Sequence, residues 1–253
     1  MQRLVIDAAQ RTGQQIDLTA QQQHYLVRVL RLEPDARFIV LDGKGGAWVA
    51  RLVKVATDRF QAELLAPLSL ATELPVTVTL VAALPKGSGF DEVVRQATEL
   101  GVSQIVPVRS DRTLLHPSPH KVERWRRIAQ EAAEQSERPI IPTILEPLPF
   151  TTWLQQADAL SGQSARRYLC VTRQSAPHLL HCLLTGRPDI SPMMLAIGPE
   201  GGWTEAEVEA AIVAGYQPVS LGNRILRAVT APLVALSLVA ASYEQGASPQ
   251  SNL

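Results

Sequence analysis

From Val76 onward, strand-like and helix-like segments alternate, and this alternation constrains the fold more than any other feature. The apolar runs are VTVTLVAAL, QIVPV, IIPTIL, RYLCV, MMLAIG and YQPVSLG, with amphipathic stretches such as FDEVVRQATELG between them. Such alternation predicts an α/β domain with a mainly parallel sheet covered by helices, because parallel neighbours need a crossover connection. Ligands bind to open sheets of this kind beyond the carboxyl ends of the strands.

Residues 1–72 follow a different pattern. The stretch ARFIVLDGKGGAWVARLVKVATDRFQAELL contains three short β-like runs, with DGKGG as a hairpin turn between the first two. A short helix in TAQQQHYLVRVLRL precedes them, with Thr19 as its cap. We therefore expect a small β-barrel module, then a linker closed by Pro75, then the α/β domain over residues 76–245. The polar end of the chain, residues 246–253, is expected to be disordered.

Charge, cysteine content and hydropathy exclude several classes of protein. The 24 basic and 24 acidic residues balance, which argues against indiscriminate coating of nucleic acid but not against a local basic face. Two cysteines are too few for a disulfide framework, so a cytoplasmic location is the simplest expectation. The apolar stretches are interrupted well short of a membrane span, and the N-terminus lacks the apolar core of a signal peptide. The five histidines lack zinc-binding spacing, so no metal is expected.

The segment AIGPEGGWTEAEVEA, residues 196–210, reads as a strand end, a glycine-rich turn and a helix start. We call residues 198–202 the glycine turn. Its glycines permit backbone conformations and close approaches that a Cβ would block. Thr204 and Glu207 have the spacing of a capping box, so a helix is expected to begin there. The turn is either a plain strand-to-helix connection or a ligand-binding loop that offers free backbone amides.

A second informative stretch is SLGNRILRAVTAPLVALSLVAA, residues 220–241, which combines a strand end, a Gly-Asn turn, a basic loop and an apolar helix. One acidic and one basic turn at neighbouring strand ends could enclose a polar, zwitterionic ligand, unless Arg224 and Arg227 simply face solvent. The dinucleotide-binding, P-loop and nucleophile-elbow motifs are absent from the sequence.

IGPEGGWTEAE and LGNRILRAVTA, in this order, resemble the two signature segments of the bacterial 16S ribosomal RNA (uracil-N3) methyltransferases of the SPOUT, or trefoil-knot, superfamily. The segments HYLVRVLRL, DGKGG, LPKG, ATELGV and RWRRIAQEAAEQS agree, so the resemblance spans nearly the whole chain. It implies a PUA-like β-barrel domain that helps bind RNA, followed by a knotted methyltransferase domain. It also implies a homodimer that uses S-adenosylmethionine to methylate N3 of a uridine in 16S rRNA of the small ribosomal subunit.

The resemblance further implies roles for individual residues. The methyl-donor pocket is expected to be formed by Ile197, Gly198, Gly201, Gly202, Leu221, Gly222, Asn223, Arg224, Ile225 and Leu226. Glu200 is expected to contact the base edge or the sulfonium region, with capping of the helix start as the alternative. Arg224 or Arg227 would stabilise the uracil anion or hold a phosphate. The rRNA backbone would be held by Arg3, Arg28, Arg31 and Arg112.

Three positions depart from the family pattern. Val229 stands where many relatives have Glu, Glu137 where they often have Gly, and Gln96 where Lys is common. The first departure puts the proton acceptor in doubt and leaves open a catalytically weak RNA-binding or ribosome-assembly protein on the same fold. A Rossmann-type oxidoreductase would also explain the alternating strands, but its glycine fingerprint is missing.

Overall fold

The computed structural model describes residues 1–113, 117–161, 165–185 and 190–244. The chain forms two compact units. The first contains residues 1–73 and 133–141, and the second contains residues 74–132 and the described residues from 142 onward. The terminal segment 246–253, for which disorder is predicted, lies outside the described residues.

The first unit is built on a mostly antiparallel sheet. Its strands are β1 (Arg3–Val5), β2 (Arg11–Thr12), β3 (Gln15–Asp17), β4 (Arg37–Leu41), β5 (Ala47–Ala56) and β6 (Arg59–Pro67). Among the described residues they follow the order β1-β4-β5-β6-β3-β2, and only β1 and β4 pair in parallel. The predicted hairpin turn joins β4 to β5, and Asp42 Oδ1 accepts hydrogen bonds from the backbone N–H groups of Lys44 and Gly46. Buried side chains such as Ile16, Phe38 and Leu52 form the core.

The helix predicted in TAQQQHYLVRVLRL begins at the expected residue but ends in a different conformation. The helical part of this unit comprises a 3-10 helix (Ala8–Gln10), α1 (Ala20–His24) and a π-helical turn (Tyr25–Val29). Thr19 caps α1 in a capping box with Gln22, which confirms the predicted start. The α-helical pattern expected through Leu30 gives way to the π turn, which buries Leu26 and leaves Tyr25 and Val29 exposed.

The second unit contains a parallel sheet. Its strands are β7 (Val78–Ala83), β8 (Gln104–Arg109), β9 (Thr143–Ile144), β10 (Leu148–Pro149), β11 (Arg166–Cys170), β12 (Met193–Ile197) and β13 (Gln217–Val219). Within the described ranges the order is β10-β8-β7-β12-β11-β13, β9 pairs with β8, and every pairing is parallel. Strand β7 therefore lies at the point where chain order reverses, with β8 on one side and β12 on the other. Open α/β sheets commonly bind ligands beyond the carboxyl ends of their strands at such a point.

Helices cover both faces of this sheet. They are α2 (Gly89–Glu99), α3 (Pro119–Gln135), α4 (Phe150–Ser161), α5 (Leu179–Thr185), α6 (Glu205–Val213) and α7 (Thr230–Glu244). Helices α4 and α6 pack on one face through Trp153 and Val208, whereas α7 packs on β12 beside α2 and α5. All residues of β7 and β12 are buried, which is why both strands read as continuous apolar runs.

The predicted α/β architecture is confirmed, with corrections to individual elements. The run IIPTIL forms only the two-residue β9, and β10 was not predicted. Gly101 follows α2 with φ +87°, the left-handed conformation expected after a helix end. Helix α5 begins at Leu179. In the described part of the chain, no helix has the length and apolarity needed to span a membrane. The trefoil knot stays a prediction.

Candidate functional site

A cavity opens at the carboxyl ends of β11 and β12 and beside the segment that follows β13. Its walls come from the ends of three neighbouring parallel strands. The lining residues are Cys170, Val171 and Thr172; Ile197, Gly198, Pro199, Glu200, Gly202 and Trp203; and Leu221, Gly222, Arg224, Ile225, Leu226, Ala228 and Ala231.

The glycine turn forms one wall, and its backbone requires glycine. Gly202 has φ +70°, and its N–H donates to the carbonyl oxygen of Pro199 at 2.9 Å. A Cβ on Gly198 would lie 3.2 Å from the indole ring of Trp203. The predicted capping box at Thr204 and Glu207 is present, so the turn leads directly into α6. It is therefore a strand-to-helix connection that also lines a cavity.

The segment after β13 forms the opposite wall. Gly222 has φ +112°, and its N–H donates to Ser220 Oγ at 3.1 Å. Leu221, Ile225 and Leu226 contribute apolar surface, and Ile225 is 62% exposed. This wall can bury a flat apolar group against side chains while its backbone meets polar atoms.

Two neutral polar groups belong to the cavity wall. Trp203 stacks on Phe150 with ring centroids 4.3 Å apart, and its Nε1–H is buried with no hydrogen-bond partner among the described residues. Burial raises the pKa of the Cys170 thiol to about 12, so the thiol stays protonated at neutral pH. Neither cysteine nor tryptophan was among the predicted site residues. Because ligands bind beyond the carboxyl ends of parallel strands, Cys170 at the end of β11 could have been predicted, but only if the order of the strands had been known.

The residues predicted to bind the methyl donor line one cavity, except for Gly201 and Asn223. Gly201 instead contacts Arg112, whose Nη1 donates to the Gly201 carbonyl oxygen. Asn223 is exposed. The described residues contain no group of three His, Cys, Asp or Glu side chains that could hold a metal ion.

The predicted catalytic residues divide into two groups. Glu200 and Arg224 line the cavity, whereas Arg227 is exposed just before α7 and does not. Glu200 Oε1 accepts a hydrogen bond from Lys86 N at 3.1 Å, which links the loop after β7 to the glycine turn. The alternative role of Glu200 as a helix cap is filled by Thr204 and Glu207 instead.

The predicted RNA contacts are not equivalent. Arg28 and Arg31 are exposed on the first unit, at and just beyond the π turn. Arg3 is only 17% exposed and pairs with Glu137 at 2.6 Å. Arg112, on the second unit, donates a hydrogen bond to the glycine turn. Of these four arginines, only Arg28 and Arg31 have neither an ion-pair nor a hydrogen-bond partner for their guanidinium groups among the described residues.

Val229, where the sequence resemblance led us to expect Glu, packs against the first residue of α2. Its Cγ1 lies 2.7 Å from where a Cβ on Gly89 would be. Position 229 therefore faces the start of α2, where this chain presents an apolar side chain.

Models of known families match both units. An RNA methyltransferase domain matches residues 72–240, and an RNA methyltransferase PUA domain matches residues 18–65. The chain belongs to the RNA methyltransferase family. The two matches cover both walls of the cavity and the exposed arginines at and just beyond the π turn.

Relatives and solved structures of this family resemble the chain over nearly its full length. The ribosomal RNA small subunit methyltransferase E of Synechocystis sp. is 48% identical over 242 residues, which cover 96% of this chain and 78% of the relative. The protein of the same name from Bacillus subtilis is 31% identical, covering 96% and 97%. A crystal structure of a ribosomal RNA small subunit methyltransferase E from Neisseria gonorrhoeae bound to S-adenosyl methionine superposes with a TM-score of 0.82 at 32% identity, covering 94% and 95%.

Proposed function

We propose that this protein transfers a methyl group from S-adenosylmethionine to N3 of a uridine in the 16S rRNA of the small ribosomal subunit. The observation that carries the proposal is the cavity between the glycine turn and the 221–226 loop, at the carboxyl ends of the neighbouring strands β12, β11 and β13. The relatives named as small-subunit rRNA methyltransferases, and the S-adenosyl methionine bound by the Neisseria protein, support the donor and the RNA class. N3 as the attacked atom follows from the sequence resemblance.

The residues of the cavity fit the methyl donor. Leu221, Ile225 and Leu226 supply apolar surface for an adenine ring, and the backbone of this segment supplies hydrogen-bonding groups for its edge. The glycine turn permits close approach at the other wall. The buried Nε1–H of Trp203 has no hydrogen-bond partner among the described residues, so it can donate to an acceptor on a ligand.

The reaction requires the chain to handle a proton on the base. N3 of uridine is mostly protonated at neutral pH and lies on the pairing edge, so the base must be unpaired and its proton removed. S-adenosylmethionine supplies an electrophilic methyl group when bound. Glu200 lies at the cavity with Oε2 unpartnered among the described residues, so it can accept that proton or hydrogen-bond the base. Arg224 can stabilise the resulting anion.

The first unit is proposed as the RNA-binding domain, over residues 1–72, and residues 76–245 as the methyltransferase domain. Exposed Arg28 and Arg31 would bind phosphates of the rRNA, with Tyr25 beside them as an exposed aromatic ring. Arg3 would contribute less, because Glu137 already holds it. The reaction is proposed to take place in the cytoplasm.

A homodimer is also proposed. Helix α7 is apolar around its whole circumference, yet Leu233, Val234 and Leu238 are only half-buried within this chain. A helix of this composition is ordinarily buried on all sides, so a second subunit would complete its burial. Analytical ultracentrifugation should give twice the mass of the chain at micromolar concentration; a monomer would contradict this part of the proposal.

Val229 favours one competing function, an RNA-binding assembly protein with weak catalysis. A transfer assay separates the two. Labelled S-adenosylmethionine is incubated with the protein and with small or large ribosomal subunits that lack methylation at the target. We expect label in small-subunit rRNA alone. Tight binding to small subunits with no transfer of label would support the assembly protein and contradict the methyltransferase proposal.

A further inference from the structure

The side chain of Arg112 joins the loop after β8 to the glycine turn after β12. Its Nη1 donates a hydrogen bond to the carbonyl oxygen of Gly201. Its methylene stem lies on the same residue, since a Cβ on Gly201 would be 3.1 Å from Arg112 Cδ. Position 201 therefore has a glycine because an arginine covers it.

Further hydrogen bonds hold the same loop against the start of α6. Asp111 N donates to Glu207 Oε1 at 2.9 Å, and Thr204 Oγ1 lies 3.4 Å from Asp111 Oδ2. Glu207 is only 2% exposed, and its other oxygen accepts from Thr204 N as part of the helix cap. Residues 110–113 and the glycine turn are thus one hydrogen-bonded structure.

The contact between Arg112 and Gly201 acts on the cavity indirectly. Neither residue lines the cavity, but Glu200 and Gly202, on either side of Gly201, both do. The peptide plane that carries the Gly201 carbonyl also carries the Gly202 N–H, which donates to Pro199 O at 2.9 Å. Fixing the carbonyl fixes the orientation of this peptide and so the shape of the wall.

We propose that Arg112 is a positioning residue for the methyl-donor site, which it serves by holding the Gly201 carbonyl and hence the glycine turn. This inference rests on the proposed function, and it gives Arg112 a role other than the RNA contact implied by the resemblance. Positioning predicts that Arg112 affects donor binding in the absence of RNA. An RNA contact predicts an effect on RNA binding alone.

Calorimetric titration of the full chain with S-adenosylmethionine, without RNA, tests the inference. Arg112→Met keeps the stem over Gly201 and removes the donor groups, so we expect the donor Kd to rise about tenfold. Arg112→Lys keeps a donor and should restore the Kd to within about threefold of the wild type. Arg127→Met, which alters an exposed arginine on α3, is the control and should leave the Kd unchanged.

The outcomes separate this inference from the proposed function. Wild-type protein that does not bind S-adenosylmethionine would overturn both. Wild-type affinity in Arg112→Met, with a raised KM for RNA, would overturn the positioning role and leave the proposed function standing. If Arg112→Met fails to fold by circular dichroism, Gly201→Ala disturbs the same contact with the arginine retained. It should weaken donor binding about threefold, and unchanged binding would contradict the inference.

Discussion

Glu137 is an acidic residue in a backbone conformation that favours glycine. It follows α3 with φ +65°. The structure offers a compensation, because Glu137 pairs with Arg3 at 2.6 Å and its carbonyl accepts from Thr72 Oγ1 at 3.0 Å. Glutamate at this position thus costs backbone strain and gains an ion pair.

This balance predicts an order of stability among variants at position 137. Glu137→Ala loses the ion pair and keeps the strained φ, whereas Glu137→Gly loses the ion pair and relieves the strain. We expect Glu137→Gly to be more stable than Glu137→Ala by about 1 kcal/mol in urea unfolding. Equal stability of the two variants would show that the left-handed backbone carries no cost here.

Arg227 is exposed and does not line the cavity, so its predicted role is at the RNA rather than at the donor. Arg227→Ala should lower kcat for methyl transfer by roughly a hundredfold, if it stabilises the anion of the base, and leave the donor Kd within about twofold. Arg224→Ala is the contrasting variant and should weaken donor binding as well, because Arg224 lines the cavity. Equal transfer rates in wild type and Arg227→Ala would refute the assignment.

Tyr216 gives the stability of the second unit a pH dependence. Its hydroxyl accepts from Trp153 Nε1 at 2.9 Å, and burial raises its pKa from 10.0 to about 12. The unfolded chain loses this proton above pH 10 while the folded chain keeps it, so stabilisation present below pH 10 is lost as the pH rises towards 12. Between pH 9 and 11, Tyr216→Phe should lose about 1 kcal/mol less unfolding free energy than the wild type. Tyr25→Phe, at an exposed tyrosine, is the control; a fall as steep in Tyr216→Phe as in the wild type would contradict the prediction.

Among the elements, the glycine turn is the one whose backbone conformation is expected to affect both stability and donor binding. Gly202 has φ +70° in the cavity wall, and Gly13 has φ +64° in the first unit. A Cβ would meet nothing within 4 Å at Gly13 and only Thr172 Oγ1, at 4.0 Å, at Gly202. Valine at either position should cost about 1–2 kcal/mol of stability, because the left-handed conformation is strained for side chains. Only Gly202→Val should also weaken donor binding, by at least about tenfold, in calorimetric titration. Equal loss of donor affinity in both variants would indicate a general effect of destabilisation.

The elements themselves were largely predictable where local chemistry determines them. The capping boxes at Thr19 and Thr204 and the buried runs of β7 and β12 follow from short-range patterns. The π turn after α1 could not be predicted from such patterns, because it is associated with the burial of Leu26 against the rest of the unit and not with a local sequence preference. Strand β10 has two residues, too few for any alternation to be recognised.

The site residues at and just after the end of β11 could not be predicted, because they carry no local sequence motif. The glycine turn and the 221–226 loop carry motifs, and both line the cavity. Cys170, Val171 and Thr172 carry none, and they reach the cavity only because β11 lies between β12 and β13. The contact of Arg112 with Gly201 joins residues 89 positions apart, which no local pattern encodes.

At the scale of the whole molecule, the chain does not divide at a single point. Residues 133–141, which begin in the last turn of α3, group with the first unit. Arg138 is 2% exposed and pairs with Glu73 at 2.6 Å, and Ile140 N donates to the same carboxylate at 3.3 Å. The linker PLSLATELP indicates a change of pattern, but it cannot reveal a return of the chain some 60 residues later.

We infer that this chain methylates N3 of a uridine in small-subunit rRNA with S-adenosylmethionine as donor. To test this, the purified protein is incubated with the donor and unmethylated small subunits, the rRNA is digested, and its nucleosides are identified by mass spectrometry. We expect new 3-methyluridine with the wild type and a strongly reduced yield with Gly202→Val. A different methylated nucleoside would contradict the attacked atom, and no methylated nucleoside from a protein that binds the donor would contradict the catalytic claim itself.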